Sequence, residues 1–275
     1  MSDAPNDVPN DGPNDGPGIG VVQYEVRDGV AWLTINRPEA RNALNAAVRS
    51  GLFEGVDRFN RDDTARVLVL TGAGDVAFCA GADLKEMAAV GLEVPPADFL
   101  PQFGRNVGVD KPTIAAVNGL AYAGGFLLAQ MCDLCVAADH ARFAITEVKV
   151  GRGAPWAAPL PTMIPQRVAL EILLTGDPID AARAHEIGLV NRVVPGAELR
   201  DSVQQVATTI AANAPLSVLA AKAMVRAVAG PSAGPGADDP FAVAEEIWKP
   251  VYLSDDAQEG PRAFRERRAP RWTGR

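Results

Sequence analysis

Short apolar runs punctuate the first half of the chain. Val67-Leu68-Val69-Leu70 is wholly apolar, as expected for a strand buried on both faces, and Thr113 to Val117 and Leu134 to Ala138 look the same. Val21 to Ile35 turns at Asp28-Gly29, which predicts a hairpin, and Asn36-Arg37-Pro38 stops its second strand. Leu44 to Phe59 reads as a helix. Helical patterns separate the strands, so the first half is an α/β arrangement. The second half is mostly helical: Leu199, Val203, Val206 and Ile210 recur at spacings of 4, 3 and 4 and define one apolar face. Gly230 to Pro240 is a Gly/Pro-rich loop, and Phe241 to Arg268 should hold the last helices. The division is a core over 21–200 and a helical region over 201–275. Residues 1–20 repeat Pro-Asn-Asp with almost nothing apolar to bury, and are expected to be disordered.

Composition narrows the partners. The 275 residues are 48% apolar and 22% charged with a net charge of −8, which argues against a nucleic-acid binder. A local cationic cluster, Arg262, Arg265, Arg267, Arg268, Arg271 and Arg275, suits one anionic ligand or a solvated face. The membrane decoy is Pro112 to Cys132, 21 residues without a charge. Pro112, Asn118, Gly119, Gly124 and Gly125 interrupt it, so strand, turn and helix is the better reading and no membrane partner is expected. Three cysteines cannot form a disulfide framework and no secretory leader pattern opens the chain, so the expected compartment is the cytoplasm.

Two segments could carry chemistry. In Ala115 to Phe126 a strand leads into a glycine turn and then an apolar helix, leaving backbone N–H groups free at a helix start. Ala77 to Glu86 has a similar build. Together they could aim two N–H donors at one oxygen, the geometry of an oxyanion hole. Other candidates fare worse. Cys132-x-x-Cys135 lacks a second Cys/His pair and reads as buried structure. His140 and His185 are isolated and read as structural. Gly72-Ala73-Gly74 lacks the rest of a dinucleotide fingerprint.

Asn36-Arg37-Pro38, Ala80-Gly81-Ala82-Asp83-Leu84-Lys85, Val117-Asn118-Gly119 with Gly124-Gly125, and Leu174-Thr175-Gly176 with Gly188-Leu189-Val190 occur in order. From about Val21 to Arg275 the chain thus resembles the enoyl-CoA hydratase/isomerase (crotonase) superfamily. The resemblance implies an α/β fold, a crotonase (ClpP-like) spiral of ββα units. It also implies C-terminal helices that trimerise, giving a homotrimer or a dimer of trimers. The implied substrate is an acyl-CoA, with coenzyme A entering as part of it and no permanently bound cofactor. Its thioester oxygen would sit between the N–H groups of Ala82 and Gly124.

The resemblance also implies a proton carrier. Hydratases of this family use two glutamates; the second aligns with Glu147 and the first with Leu127, which transfers no proton. Their water-holding N–H falls at Pro155, which has none. One base can still move a double bond by taking a proton from C2 and returning it to C4 while the oxyanion hole holds the dienolate. Double-bond isomerisation with Glu147 as shuttle is therefore favoured. The alternatives are a 2-enoyl-CoA hydratase or aryl-CoA hydratase-lyase using Glu147, and a non-catalytic acyl-CoA binder. An apolar pocket would raise the Glu147 pKa. By the same resemblance Ala40, Asp83, Leu84, Lys85, Phe264 and Arg267 would meet the CoA moiety, Arg267 from a neighbouring subunit or else as part of a solvated helix face. Trp156 is a candidate wall of the acyl pocket or a core residue, and Asp83 or Glu86 are candidate second acids.

Overall fold

The computed structural model describes residues 20–83, 86–88, 94–229 and 239–275. The expected N-terminal tail and most of the loop after Ala229 lie outside these residues. Two sheets stack side by side. The larger contains β1 (Val22–Arg27), β2 (Val30–Ile35), β3 (Val67–Gly72), β5 (Thr113–Val117), β7 (Leu134–Ala138) and β10 (Arg192–Val194), in that order. The smaller contains β4 (Ala77–Cys79), β6 (Leu120–Tyr122), β8 (Arg142–Ala144) and β9 (Ile179–Asp180). β1 and β2 form the antiparallel hairpin, with Asp28 and Gly29 both at positive φ, and β2, β3, β5, β7 and β10 run parallel. After the hairpin, each turn of chain gives one strand to the large sheet and the next to the small one: β3 then β4, β5 then β6, β7 then β8. That alternation is the expected spiral.

The segments β3 and β5, apolar apart from Thr71 and Thr113, are buried along their length because sheet neighbours and helices cover both faces. Phe126 and Phe143 meet edge to face with centroids 6.3 Å apart, joining the helix after β6 to β8. Two buried asparagines fix the β3–β4 connection. Asn42 Nδ2 donates to Ala73 O (3.0 Å) and Ala77 O (2.7 Å), while Asn118 Nδ2 donates to Gly74 O (2.7 Å) and its Oδ1 accepts from Gly72 N (3.2 Å).

Pro112 to Cys132 contains two strands, not one: β5, then β6, then helix α2 (Gly124–Gln130). Among the described residues no single helix is long and apolar enough to cross a membrane. Helix α1 spans Ala46–Arg61, two residues later than the apolar pattern indicates at its start. Asn45 is its N-cap and accepts from Val48 N at 3.0 Å, because Leu44 is already committed to a bridge with Ala82.

Four short helices follow the core strands: α3 (Leu160–Met163), α4 (Gln166–Thr175), α5 (Ala181–Glu186), and then α6 (Leu199–Ala211), which lies on the large sheet. The buried face of α6 is Leu199, Val203 and Ala207, with Val206 and Ile210 only half-buried. α7 (Pro215–Ala229) is tethered to the core by Lys222, whose ammonium lies 2.7 Å from Asp133 and donates to Lys111 O. α8 (Pro240–Tyr252) and α9 (Asp255–Glu266) complete the chain. Cys132 and Cys135 are buried free thiols, and burial pushes Cys135 up to about 12, so neither is a poised nucleophile. His140 Nε2 lies 2.9 Å from Asp75 O and 3.1 Å from Asn118 O, and Nδ1 lies 3.2 Å from the Asp139 carboxylate. These acceptors, the Asp75 carbonyl first, favour the charged imidazole and raise its pKa. His185 Nδ1 lies 2.9 Å from Val190 O. Both histidines fasten backbone.

Candidate active site

The two glycine turns singled out in the sequence meet. β4 ends at Cys79, and Gly81 takes φ +96°, a backbone conformation that favours glycine. A Cβ on Gly81 would sit 2.9 Å from the Ala123 Cβ and 3.5 Å from the Gly124 nitrogen. A Cβ on Gly124 would lie 3.7 Å from Gly81 Cα and 2.7 Å from Leu44 Cδ1. The absent side chains are what let the turns touch.

Each turn leaves one N–H facing outward. Leu44 N donates to Gly81 O (2.8 Å) and Asp83 N to Leu44 O (3.4 Å), a parallel bridge that uses the residues flanking Ala82. Ladder geometry turns the N–H of Ala82 itself the other way. On the second turn Ala123 is held at φ +50° although it is not glycine, its N–H donating to Ala144 O (2.9 Å). The first bond of α2 runs from Leu127 N to Ala123 O (3.1 Å), so Gly124 stands among the orphan donors of the helix start. Among the described residues neither the Ala82 nor the Gly124 N–H has a hydrogen-bond partner.

Both turns open into a cavity of about 770 Å³, within the size range of small-molecule sites. Its other wall follows β8. Thr146–Val150 forms a 3₁₀ turn carrying Glu147, and Gly151 in the left-handed region reverses the chain so that Arg152 N donates to Glu147 O at 2.9 Å. A second 3₁₀ turn, Pro155–Ala157, brings Trp156 against Phe126 with centroids 6.1 Å apart. Trp156 therefore both walls the cavity and packs on α2. Leu127 and Pro155 also line the space. Glu147 Oε2 is buried without a hydrogen-bond partner. Burial raises its pKa above the ordinary carboxylate value of 4.5, with the Trp156 side chain pulling the other way.

The remaining expected residues divide. Ala40 and Asp83 line the cavity. Asp83 lies 3.2 Å from Arg37, which also donates to Ala43 O at 2.8 Å. Glu86, a candidate second acid, lies 2.6 Å from Arg49 and accepts from Ala46 N at 2.8 Å; the Arg49 hydrogen bond holds its pKa low. A carboxylate so engaged is fastening α1, not waiting to donate a proton. Leu84 and Lys85 lie outside the described residues. Phe264, 87% exposed, and Arg267 lie on the C-terminal surface and do not line this chain's cavity. Arg152 lines the cavity and is absent from the sequence expectations. Its one sequence signal is a cation among the small residues of Gly151 to Ala154, a pattern that ordinarily reads as a solvated loop.

The sequence profile of the enoyl-CoA hydratase/isomerase family matches residues 25–275. The chain belongs to that family, the crotonase superfamily, and is an enzyme. It is 38% identical over 255 residues to the carnitinyl-CoA dehydratase of Proteus mirabilis, covering 90% of this chain and 97% of that one. It is 40% identical over 266 residues to the (E)-benzylidenesuccinyl-CoA hydratase of Thauera aromatica, covering 92% and 99%. The crystal structure of an enoyl-CoA hydratase from Mycobacterium tuberculosis H37Rv superposes with a TM-score of 0.81 at 42% identity, over 94% of this chain and all of that one.

Proposed function

We propose that this enzyme takes an acyl-CoA thioester, polarises its carbonyl between the N–H groups of Ala82 and Gly124, and moves a proton with Glu147. The carrying observation is the Glu147 carboxylate on the cavity onto which both turns open, its Oε2 buried without a hydrogen-bond partner. Hydrogen bonds to the thioester oxygen acidify the adjacent C–H and stabilise the enolate. Burial raises the Glu147 pKa above the ordinary carboxylate value, the direction that suits a group which must both take and give a proton.

Double-bond migration is the reaction one such carboxylate serves directly. Glu147 takes the C2 proton of a 3-enoyl thioester, the electron pair passes into the dienolate, and the protonated Glu147, open to exchange with solvent, delivers a proton to C4. Leu127 and Pro155, which offer the cavity neither a second carboxylate nor a backbone N–H, support this reading. The names of the relatives favour a second reading, addition or loss of water. There Glu147 would take a proton from water as hydroxide adds to C3, then deliver it to C2 of the enolate.

Incubation in deuterated water with a 3-enoyl-CoA and, separately, a 2-enoyl-CoA distinguishes the two. Migration with deuterium at C2 or C4 and no gain of water is expected; a 3-hydroxyacyl product from the 2-enoyl substrate would transfer the assignment to hydration. A protein that binds acyl-CoA, turns over neither, and is unaltered by Glu147→Gln would be a binder. Phe264 and Arg267 would reach a CoA only in a neighbouring copy. The exposed Phe241, Tyr252, Leu253 and Phe264 of the last two helices suit such packing, as a homotrimer or dimer of trimers. Sedimentation equilibrium tests it: a monomer would remove both residues from the site.

A further inference from the structure

The cavity contains a second charged group without a partner. Arg152 Nη2 is buried and donates to no acceptor, and among the described residues Arg152 stands in no ion pair. Leaving a guanidinium N–H buried and unpaired is unfavourable. The other arginines on the cavity wall are satisfied: Arg37 by Asp83 and Ala43 O, Arg105 by Gln102 Oε1 at 2.9 Å. The obvious intramolecular partner for Arg152 is Glu147, five residues before it on the same loop, whose Oε2 is likewise buried without a partner. The two side chains nevertheless form no hydrogen bond or ion pair, although the Arg152 N–H is anchored to the Glu147 carbonyl. The fold thus keeps a carboxylate and a guanidinium on one short segment and holds them apart.

We infer that Arg152 binds an anionic oxygen group, a carboxylate, carried by the acyl chain, so that the preferred substrates are carboxylated acyl-CoA thioesters. The inference rests on the acyl-CoA reading above. A thioester oxygen at Ala82 and Gly124 places the reacting carbons toward Glu147. Arg152 and Trp156 follow Glu147 along the chain and line the same cavity, where they would meet whatever the acyl group carries beyond those carbons. Guanidinium is suited to this task because its planar fork matches a carboxylate and stays charged at any working pH. Trp156 and Leu127 supply the apolar wall along which the intervening chain lies.

Binding of saturated, unreactive thioesters separates recognition from chemistry. Titration calorimetry would compare succinyl-, glutaryl- and adipyl-CoA with butyryl-, valeryl- and hexanoyl-CoA, three pairs matched in chain length. For at least one pair the carboxylated member should bind tighter by on the order of tenfold to a hundredfold. Arg152→Met and Arg152→Gln should collapse that ratio toward one, and Arg152→Lys should keep part of it; thermal unfolding of each variant identifies any that fails to fold. No preference within any pair overturns the inference, as does a preference that survives in both neutral variants. It also fails if free CoA loses affinity by the same factor in those variants, since Arg152 would then hold a CoA phosphate. If no thioester and no CoA binds the wild type, the acyl-CoA reading fails and takes this inference with it. Binding of all six without preference defeats this inference alone.

Discussion

On the wall built from residues 37 to 86, Arg37 holds Asp83 and Arg49 holds Glu86, each pair braced by further hydrogen bonds to backbone. On the facing wall, residues 146 to 156, Glu147 and Arg152 each bury a polar atom with no partner. Arg37 and Asp83 line the same cavity as Glu147 and Arg152, Arg49 and Glu86 stand behind that lining, and the two sides carry the same kinds of side chain. The paired wall spends its charges on shape: they fix the Ala82 loop against the start of α1. The unpaired wall leaves desolvated charge facing the space, a cost that only a ligand or a reaction repays. A charged residue near a site is thus informative chiefly through what it is not bonded to.

The largest expected break in this contrast comes from the unpaired wall. Glu147→Gln should lower turnover by about 10²–10⁴-fold, the usual worth of a positioned acid–base group, while acyl-CoA binding by calorimetry stays within a few-fold. Turnover within a few-fold of wild type would remove Glu147 from the chemistry. Next is Gly81→Ala, which must accommodate φ +96° and an Ala123 Cβ at 2.9 Å. Displacing one oxyanion donor should cost about 10²–10³ in kcat. Urea unfolding should show a loss of about 1–3 kcal/mol for the forced overpacking.

On the paired wall, Arg37→Met should reduce stability by about 1–3 kcal/mol, the range for hydrogen bonds to charged groups, with a smaller effect on turnover than Glu147→Gln. A larger catalytic than structural effect there would erase the distinction between the walls. Trp156→Phe sharpens it. On the proposed mechanism the acid limb of kcat/KM should follow ionisation of Glu147, whose pKa burial raises above 4.5 and which Trp156 opposes. Removing the indole should raise that midpoint, so activity is lost at a higher pH; a midpoint moving down would contradict the assignment. The smallest effect lies far from the cavity. The folded pKa of His140 is raised above 6.5, so its contribution to stability is complete below pH 6.5 and fades as pH rises through the folded value. His140→Gln should flatten the pH dependence of the urea midpoint in that window.

Local pattern made some elements legible and not others. Thr113–Val117 and Leu134–Ala138 coincide with the expected strands, and the hairpin turns at Asp28-Gly29, because each signal is complete within a few residues. The small sheet was invisible. Ala77–Cys79, Leu120–Tyr122 and Arg142–Ala144 are three residues each, too short for any periodicity, and become strands only because the spiral brings them side by side. In the site, the two glycine turns were legible from local layout, whereas Ala82, Gly124 and Glu147 emerged through the family resemblance, which carries positional information that residue chemistry lacks. Arg152 escaped because a lone arginine among glycines and a proline has no local signature of burial.

The bridge between Leu44 and Ala82 links catalytic geometry to local breathing. Two hydrogen bonds to one residue aim the Ala82 donor, and that residue directly precedes the cap of α1. An opening that frays the start of α1 and frees Leu44 would release the Ala82 loop and loosen the Leu44 packing against Gly124. On the proposed role of Ala82, the exchange rate of the Leu44 amide should report, in the absence of substrate, how often that donor is out of place. A ligand that seats an oxygen on Ala82 should slow that exchange in proportion to its occupancy.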